Sequence, residues 1–195
     1  LERRSPGVQV NQTIIEEAID QVLTGKREAY RTIIQAYERK IHTYCYYILR
    51  SHEEAEDAVQ DIFVKVYQEL RRYEKRVSFN AWLYKVAYHH CLDQVRKRKR
   101  WNRLIKLYTA LQTKTYYELN DESPVEQLFS NLSTEESNML ILKVVEQYSF
   151  EEMGQIMGCS PSMLRKRYER LRKKLVSEKI YEGGIQLDEV AKSNG

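Results

Sequence analysis

The run from Ser160 to Leu175, Ser-Pro-Ser-Met-Leu-Arg-Lys-Arg-Tyr-Glu-Arg-Leu-Arg-Lys-Lys-Leu, constrains this chain more than any other stretch. Ser160 suits a helix N-cap, and Pro161 suits the first helical position, where a missing N–H has no partner to lose. Leu164, Tyr168, Leu171 and Leu175 recur at helical spacing, so one face must be buried, and Arg165, Lys166, Arg167, Arg170, Arg172 and Lys173 are left outside it. Ahead of this run, Ser149 and Glu152 have the spacing of a capping box, Met153, Ile156 and Met157 supply an inner face, and Gly158 suits the left-handed turn that ends a short helix. Two helices joined in this way, the second strongly cationic, predict a helix-turn-helix whose second helix reads DNA.

The rest of the chain is compatible with that reading. Its 195 residues, 42% of them hydrophobic, leave room for two small cores. Gly and Pro are scarce and no stretch alternates polar with β-branched residues, so the expected class is all-α, with two small helical domains joined by a flexible linker. The net charge is only +4, but it is segregated: acids gather at 53–61 and 121–136, bases at 96–103 and 165–174. No apolar run approaches the roughly 20 residues that span a bilayer, and no secretory signal opens the chain, so a cytoplasmic location without membrane insertion is expected. Cys45, Cys91 and Cys159 lack the paired spacing of a zinc or redox site and read as core thiols. His42, His52, His89 and His90 do not pair with carboxylates or cysteines at metal-ligand spacing, which argues against an enzyme and predicts neither cofactor nor metal.

Along the first half, apolar and aromatic residues keep helical spacing from Ile14 to Ile48, broken near Thr24-Gly25, and the many tyrosines suit helix packing with a wet hydroxyl. Ser51 and Glu54 make a second capping box before a helix running to about Leu70, whose outer face carries Glu56, Asp57, Gln60 and Asp61. Like charges at Asp57 and Asp61 cost a few tenths of a kcal/mol in a helix, so a cationic partner is one reason for them and solubility is the other. Ser78 then caps a helix on which Trp82, Lys85, His89 and Arg96 share an arc, a mixture suited to stacking on unpaired bases and gripping phosphates. Arg96-Lys97-Arg98-Lys99-Arg100 puts charge all around its end. Ser133 and Glu136 make a third box, opening the helix that precedes the helix-turn-helix.

The motifs Ala55-Glu56-Asp57-Ala58-Val59-Gln60-Asp61-Ile62-Phe63, Ser78-Phe79-Asn80-Ala81-Trp82-Leu83 and Leu92-Asp93-Gln94-Val95-Arg96-Lys97-Arg98-Lys99-Arg100 resemble, in order and spacing, the successive signatures of an extracytoplasmic-function (ECF) sigma factor. Leu132 to Leu175 resembles that family's C-terminal helix-turn-helix, so the likeness covers most of residues 26–176. It implies a bacterial, non-enzymatic transcription initiation factor with this organisation: 1–12 a flexible arm or cloning remnant, 13–103 the region 2 domain, 104–127 a linker, 128–176 the region 4 domain and 177–195 a flexible tail.

By the same resemblance, Asp57, Gln60 and Asp61 would meet the β′ clamp helices of core RNA polymerase, with the β flap as a further contact. Lys75, Arg76, Ser78, Phe79, Trp82, Lys85, His89, Arg96 and Arg98 would engage and open the −10 element. Ser162, Met163, Arg165, Lys166, Arg167, Arg170 and Lys173 would read the −35 element, and an anti-sigma factor is an implied partner. The family often has Asn at His89, a Gly-Thr-Val run at Ser162-Met163-Leu164 and Ala at Gly154; the first two changes alter which bases are read, and the glycine costs about 1 kcal/mol in helix propensity. A helix-turn-helix regulator that works without polymerase docking is the alternative, and it leaves the features of the first half without a role.

Overall fold

The computed structural model describes residues 12–75, 77–109 and 124–177, with the side chains of 104–109, 124 and 177 excepted; the expected N-terminal arm and C-terminal tail fall almost wholly outside these residues, as does Arg76. All regular elements among them are helical. The first body comprises α1 (Gln12–Leu23), α2 (Tyr30–Leu49), α3 (His52–Glu69) and α4 (Phe79–Thr109). The second comprises α5 (Pro124–Ser130), α6 (Thr134–Leu140), α7 (Phe150–Met157) and α8 (Pro161–Ser177). Both ends of the stretch expected as linker are therefore helical, and 110–123 lie outside the described residues.

Local chemistry sets the boundaries. Thr24 turns its hydroxyl back to the Asp20 carbonyl at 3.0 Å, and Gly25, at φ +102°, leaves α1 in a conformation closed to residues with a Cβ. Arg50 ends α2 in the left-handed region, its N–H donating to the Tyr46 carbonyl at 2.7 Å. Ser51 caps α3 by accepting from the Glu54 N–H at 3.2 Å. The expected capping box there is only half made, because Glu54 bonds instead to Arg98 of α4 at 2.8 Å. The boxes at Ser133–Glu136 and Ser149–Glu152 are complete, and Gly158 closes α7 at φ +68°.

The first core is made by α2, α3 and α4: Ile33, Ile41, Leu49, Ala55, Ala58, Ile62, Val66, Phe79, Leu83 and Ala87 are buried between them. One sequence expectation changes here. Tyr44 and Tyr84 are fully buried, and where the sequence predicts wet hydroxyls, Tyr30 donates to the Phe63 carbonyl at 2.6 Å and Tyr44 donates to Asn138. Cys45 and Cys91, remote in sequence, meet across α2 and α4 with their sulfurs 3.6 Å apart; both remain buried free thiols.

The two bodies pack against each other in one continuous core. Tyr47 of α2 stacks on Phe129 of α5 at 4.5 Å between ring centroids, and Tyr84 of α4 meets Tyr148 edge-on at 5.7 Å. The Arg50 guanidinium donates to the carbonyls of Phe129, Leu132 (2.7 Å) and Ser130 (3.2 Å), which lie where α5 ends. A cation over these carbonyls satisfies acceptors that a helix C-terminus leaves open and meets the negative end of its dipole. At the same seam, burial pushes the Glu146 carboxyl above its usual range, opposed by Tyr84 and Lys40. Arg50→Ala removes those hydrogen bonds, each worth about 1.5–3 kcal/mol when one partner is charged. We expect faster amide hydrogen exchange in α5 and α6 with little change in α3, read by mass spectrometry of the full chain.

Candidate functional site: two cationic helices and an acidic face

Helix α8 forms as its sequence requires. The Ser160 hydroxyl accepts from the Met163 N–H at 3.4 Å, and Leu164, Leu171 and Leu175 are buried while Tyr168 packs at the margin, edge-on to Phe150 at 5.8 Å. Ser162, Met163, Arg165, Lys166, Arg170 and Lys173 are exposed and Arg167 is half-buried. Two of these cations are already paired: Arg165 with Glu151 of α7, its guanidinium also 5.5 Å from the centre of the Phe150 ring, and Arg167 with Glu135 of α6. Lys174, outside the expected set, meets Glu136 at 3.3 Å and the Asn131 carbonyl at 3.1 Å. Exposed pairs are worth only about 0–1 kcal/mol, so exchanging a carboxylate for a nucleic-acid acceptor costs little.

The turn before α8 explains its odd glycine. A Cβ built on Gly154 would lie 2.7 Å from the Cys159 carbonyl oxygen, which belongs to the backbone that aims α8. Gly154→Ala gains about 1 kcal/mol of helix propensity but forces that backbone to move, an overpacking cost of about 1–3 kcal/mol. We expect a lower melting temperature for the variant.

On α4, Ser78 caps by accepting from the Ala81 N–H at 3.2 Å. Phe79 is fully buried, and Trp82 is half-buried, its ring 5.6 Å from Phe79 and 5.4 Å from Tyr73. Lys85, His89 and Arg96 are exposed along one side. Partial burial and then Lys85 hold the His89 imidazole below its usual pKa, so near neutral pH it keeps one donor and one acceptor nitrogen. Arg96 leans on Asp93 at 3.3 Å, and Lys75 reaches back to Asp20 at 2.8 Å. Arg98 is placed differently from its neighbours. It turns to the core side, donating to the Leu49 carbonyl and to Glu54, both at 2.8 Å, and so ties the ends of α2 and α3 to α4. Lys97 before it and Lys99, Arg100 and Arg103 beyond it are exposed.

The acidic face is on α3. Asp57, Gln60 and Asp61 are exposed, and beside them α2 and α3 form a groove lined by Glu38, Arg39, His42, Glu56, Val59 and Gln60. Val64, 56% exposed, continues the face one turn on, an apolar position that the acid pattern in the sequence obscures. Asp61 is 3.9 Å from the His90 ring nitrogen of α4, so the acidic face and the −10 candidate helix are neighbours. Among the described residues no group of three His, Cys, Asp or Glu could hold a metal ion, and no helix is long and apolar enough to cross a membrane.

Described residues that are helical throughout their regular elements, with a helix-turn-helix, a second cationic and aromatic helix, and an acidic face outside both, have the arrangement of a nucleic-acid-binding factor. Comparison with known proteins makes this specific. Residues 33–101 match Sigma-70 region 2 and residues 123–175 match Sigma-70, region 4. The chain belongs to the sigma-70 family, as one of its ECF members.

Among similar proteins, the ECF RNA polymerase sigma factor SigW of Bacillus subtilis is 25% identical over 177 residues, covering 83% of this chain and 95% of the relative. The RNA polymerase sigma factor CarQ of Myxococcus xanthus is 26% identical over 159 residues, covering 77% and 91%. Among solved structures, the sigma factor RpoE bound to the anti-sigma factor NepR from Bartonella quintana superimposes with a TM-score of 0.64 at 20% identity, covering 78% of this chain and 96% of that one. CnrH bound to the cytosolic domain of CnrY gives 0.62 at 19%, covering 87% and 96%.

Proposed function

We propose that the chain binds core RNA polymerase through Asp57, Gln60 and Asp61, engages and opens a −10 element along α4, and reads a −35 element with α8, acting in the cytoplasm by binding and not by turnover. The observation that carries this reading is the joint presence, on one ECF scaffold, of an exposed acidic face on α3 and two separate cationic helices. A helix-turn-helix regulator would need neither the cationic helix α4 nor the acidic face beside the α2–α3 groove. The cationic partner of that face is a clamp helix of the polymerase, with Val64 at its apolar edge.

Along α4, Lys85, His89 and Arg96 hold the backbone of the −10 element. Trp82, braced by Phe79 and Tyr73, offers a ring on which an unpaired base stacks, with Lys75, Arg76 and Ser78 leading the strand in. Arg98 supports this helix from the core side. On α8, Ser162, Met163, Arg165 and Lys166 lie in the first turn and a half, where a helix entering the major groove by its N-terminal end reaches base edges, while Arg170 and Lys173 meet phosphates. The two elements are about 25 base pairs apart, or about 85 Å of duplex at 3.4 Å per pair. A chain whose α7 packs on α4 does not span that distance, so engagement requires the second body to leave the first. The packed arrangement is the form that an anti-sigma factor would hold, as a partner of the kind named for RpoE and NepR.

Asp57→Lys with Asp61→Lys reverses charge on an exposed face outside the core, and should weaken binding to core polymerase at least tenfold while helical content by circular dichroism stays constant. Unchanged affinity would remove α3 as the docking face. Arg165→Ala should cost about 1–3 kcal/mol at particular −35 bases, whereas Lys173→Ala should weaken all sequences alike and reduce the salt dependence. A panel of single-base −35 substitutions at two salt concentrations separates these outcomes.

A further inference from the structure

Among the side chains of α4 that the structure describes, those of 79–103, the last buried one is Val95, and beyond it Arg98 turns inward while Arg96, Lys97, Lys99, Arg100, Trp101, Asn102 and Arg103 are exposed. From Gln94 to Thr109 the sequence has no acidic residue, so the like-charge pairs Arg96–Arg100 and Lys99–Arg103, each four residues apart, are destabilising and nothing within the segment offsets them. Among the described residues neither Arg100 nor Arg103 is within ion-pair distance of a carboxylate. An exposed stretch of helix whose cations, Arg96 aside, have no carboxylate partner on the same side among the described residues is suited to a polyanion.

The phase of the helix shows which side would face it. At about 100° per residue, Trp82, Lys85, His89, Arg96, Arg100 and Arg103 fall within an arc of about 60°. Lys97 lies about 60° outside that arc's edge, and Arg98 lies on the opposite, core-facing side. The cationic stripe therefore runs from Lys85 to Arg103, about 27 Å at 1.5 Å per residue, the length of about 8 base pairs. Its far end passes beyond the residues matched by the region 2 family model, which stop at 101.

We infer that Arg100 and Arg103 form an additional phosphate-binding segment that grips duplex DNA immediately upstream of the −10 element. The direction follows from the chain, which leads from this end of α4 to the body that reads the −35 element, on the upstream side. Trp101 is off the stripe and takes no part. This inference rests on the promoter-binding reading above and extends it to duplex outside both named elements.

The test uses the full chain assembled with core polymerase and, as probe, a promoter duplex that this holoenzyme recovers from a randomised pool. One version of the probe ends at the upstream edge of the −10 element, and another extends ten base pairs further. For R100Q/R103Q the slope of log affinity against log salt on the extended duplex should fall by about 1.8, or 0.9 for each lost phosphate contact, with no change on the truncated duplex. The single variants R100Q and K97Q remove the same charge on and off the stripe, and only R100Q should change the slope. Equal effects of R100Q and K97Q, or equal effects on both duplexes, would overturn the inference. So would loss of binding to phosphatidylglycerol vesicles with duplex binding unchanged. If the wild-type chain recovers no duplex at all, the promoter reading fails and the stripe with it; if it does and R100Q/R103Q matches its slope, the stripe alone is refuted.

Discussion

Helix α2 is buried on more than one side, and that double burial is the constraint from which the rest of the structure follows. Ile33, Ile41, Cys45 and Leu49 face α3 and α4, while Tyr44, Tyr47 and Arg50 reach the second body. Because α2 serves both cores, it fixes α3 and α4 relative to each other and sets where α5 and α6 can rest. The polar contacts at this seam are directional. Tyr44 finds one amide oxygen and Arg50 finds the carbonyls at one helix end, so they select a single docking geometry where apolar burial alone would accept several.

The charged surfaces are what this packing leaves over. Burial takes the inner faces of α3, α4 and α8, and the charged residues that remain outside form three separate patches, an acidic one on α3 and basic ones on α4 and α8. The acids of α6 and α7 pair with Arg167 and Arg165, so the second body carries its own competing anions. Such exposed pairs are weak enough to exchange, yet they keep long cationic side chains extended and ordered.

How much of this could be read from the sequence depended on the range of the interaction involved. The boxes at Ser133 and Ser149, the cap at Ser160 and the turn at Gly158 involve residues a few positions apart, and the sequence predicts each of them. The box at Ser51 forms only by half because a residue distant in sequence, Arg98, competes for Glu54. Arg98, which the resemblance groups with the DNA-facing cations, lies in an unbroken basic run, and a run conceals helical phase; at 100° per residue it falls on the core side, whereas Arg100 and Arg103 fall on the side of Lys85. The Cys45–Cys91 contact, the bonded tyrosine hydroxyls and the Arg50 cap join residues far apart in sequence, and no local pattern announces them.

The length of α4 has a consequence for promoter architecture. From Arg96 to Thr109 the helix advances about 20 Å as a rod, and the stretch 110–123 that follows can span at most about 50 Å when fully extended. The distance over which the second body can be delivered is therefore bounded by the length of this rod plus the extended length of the connecting segment, its tether. A rod makes the starting point of that tether part of the first body, so the spacing tolerated between two DNA elements is set by helix geometry at its lower end and by chain length at its upper end. Lengthening the tether would relax the upper limit, whereas rotating the rod by inserting a single residue would turn the tether's origin by about 100° around the helix axis.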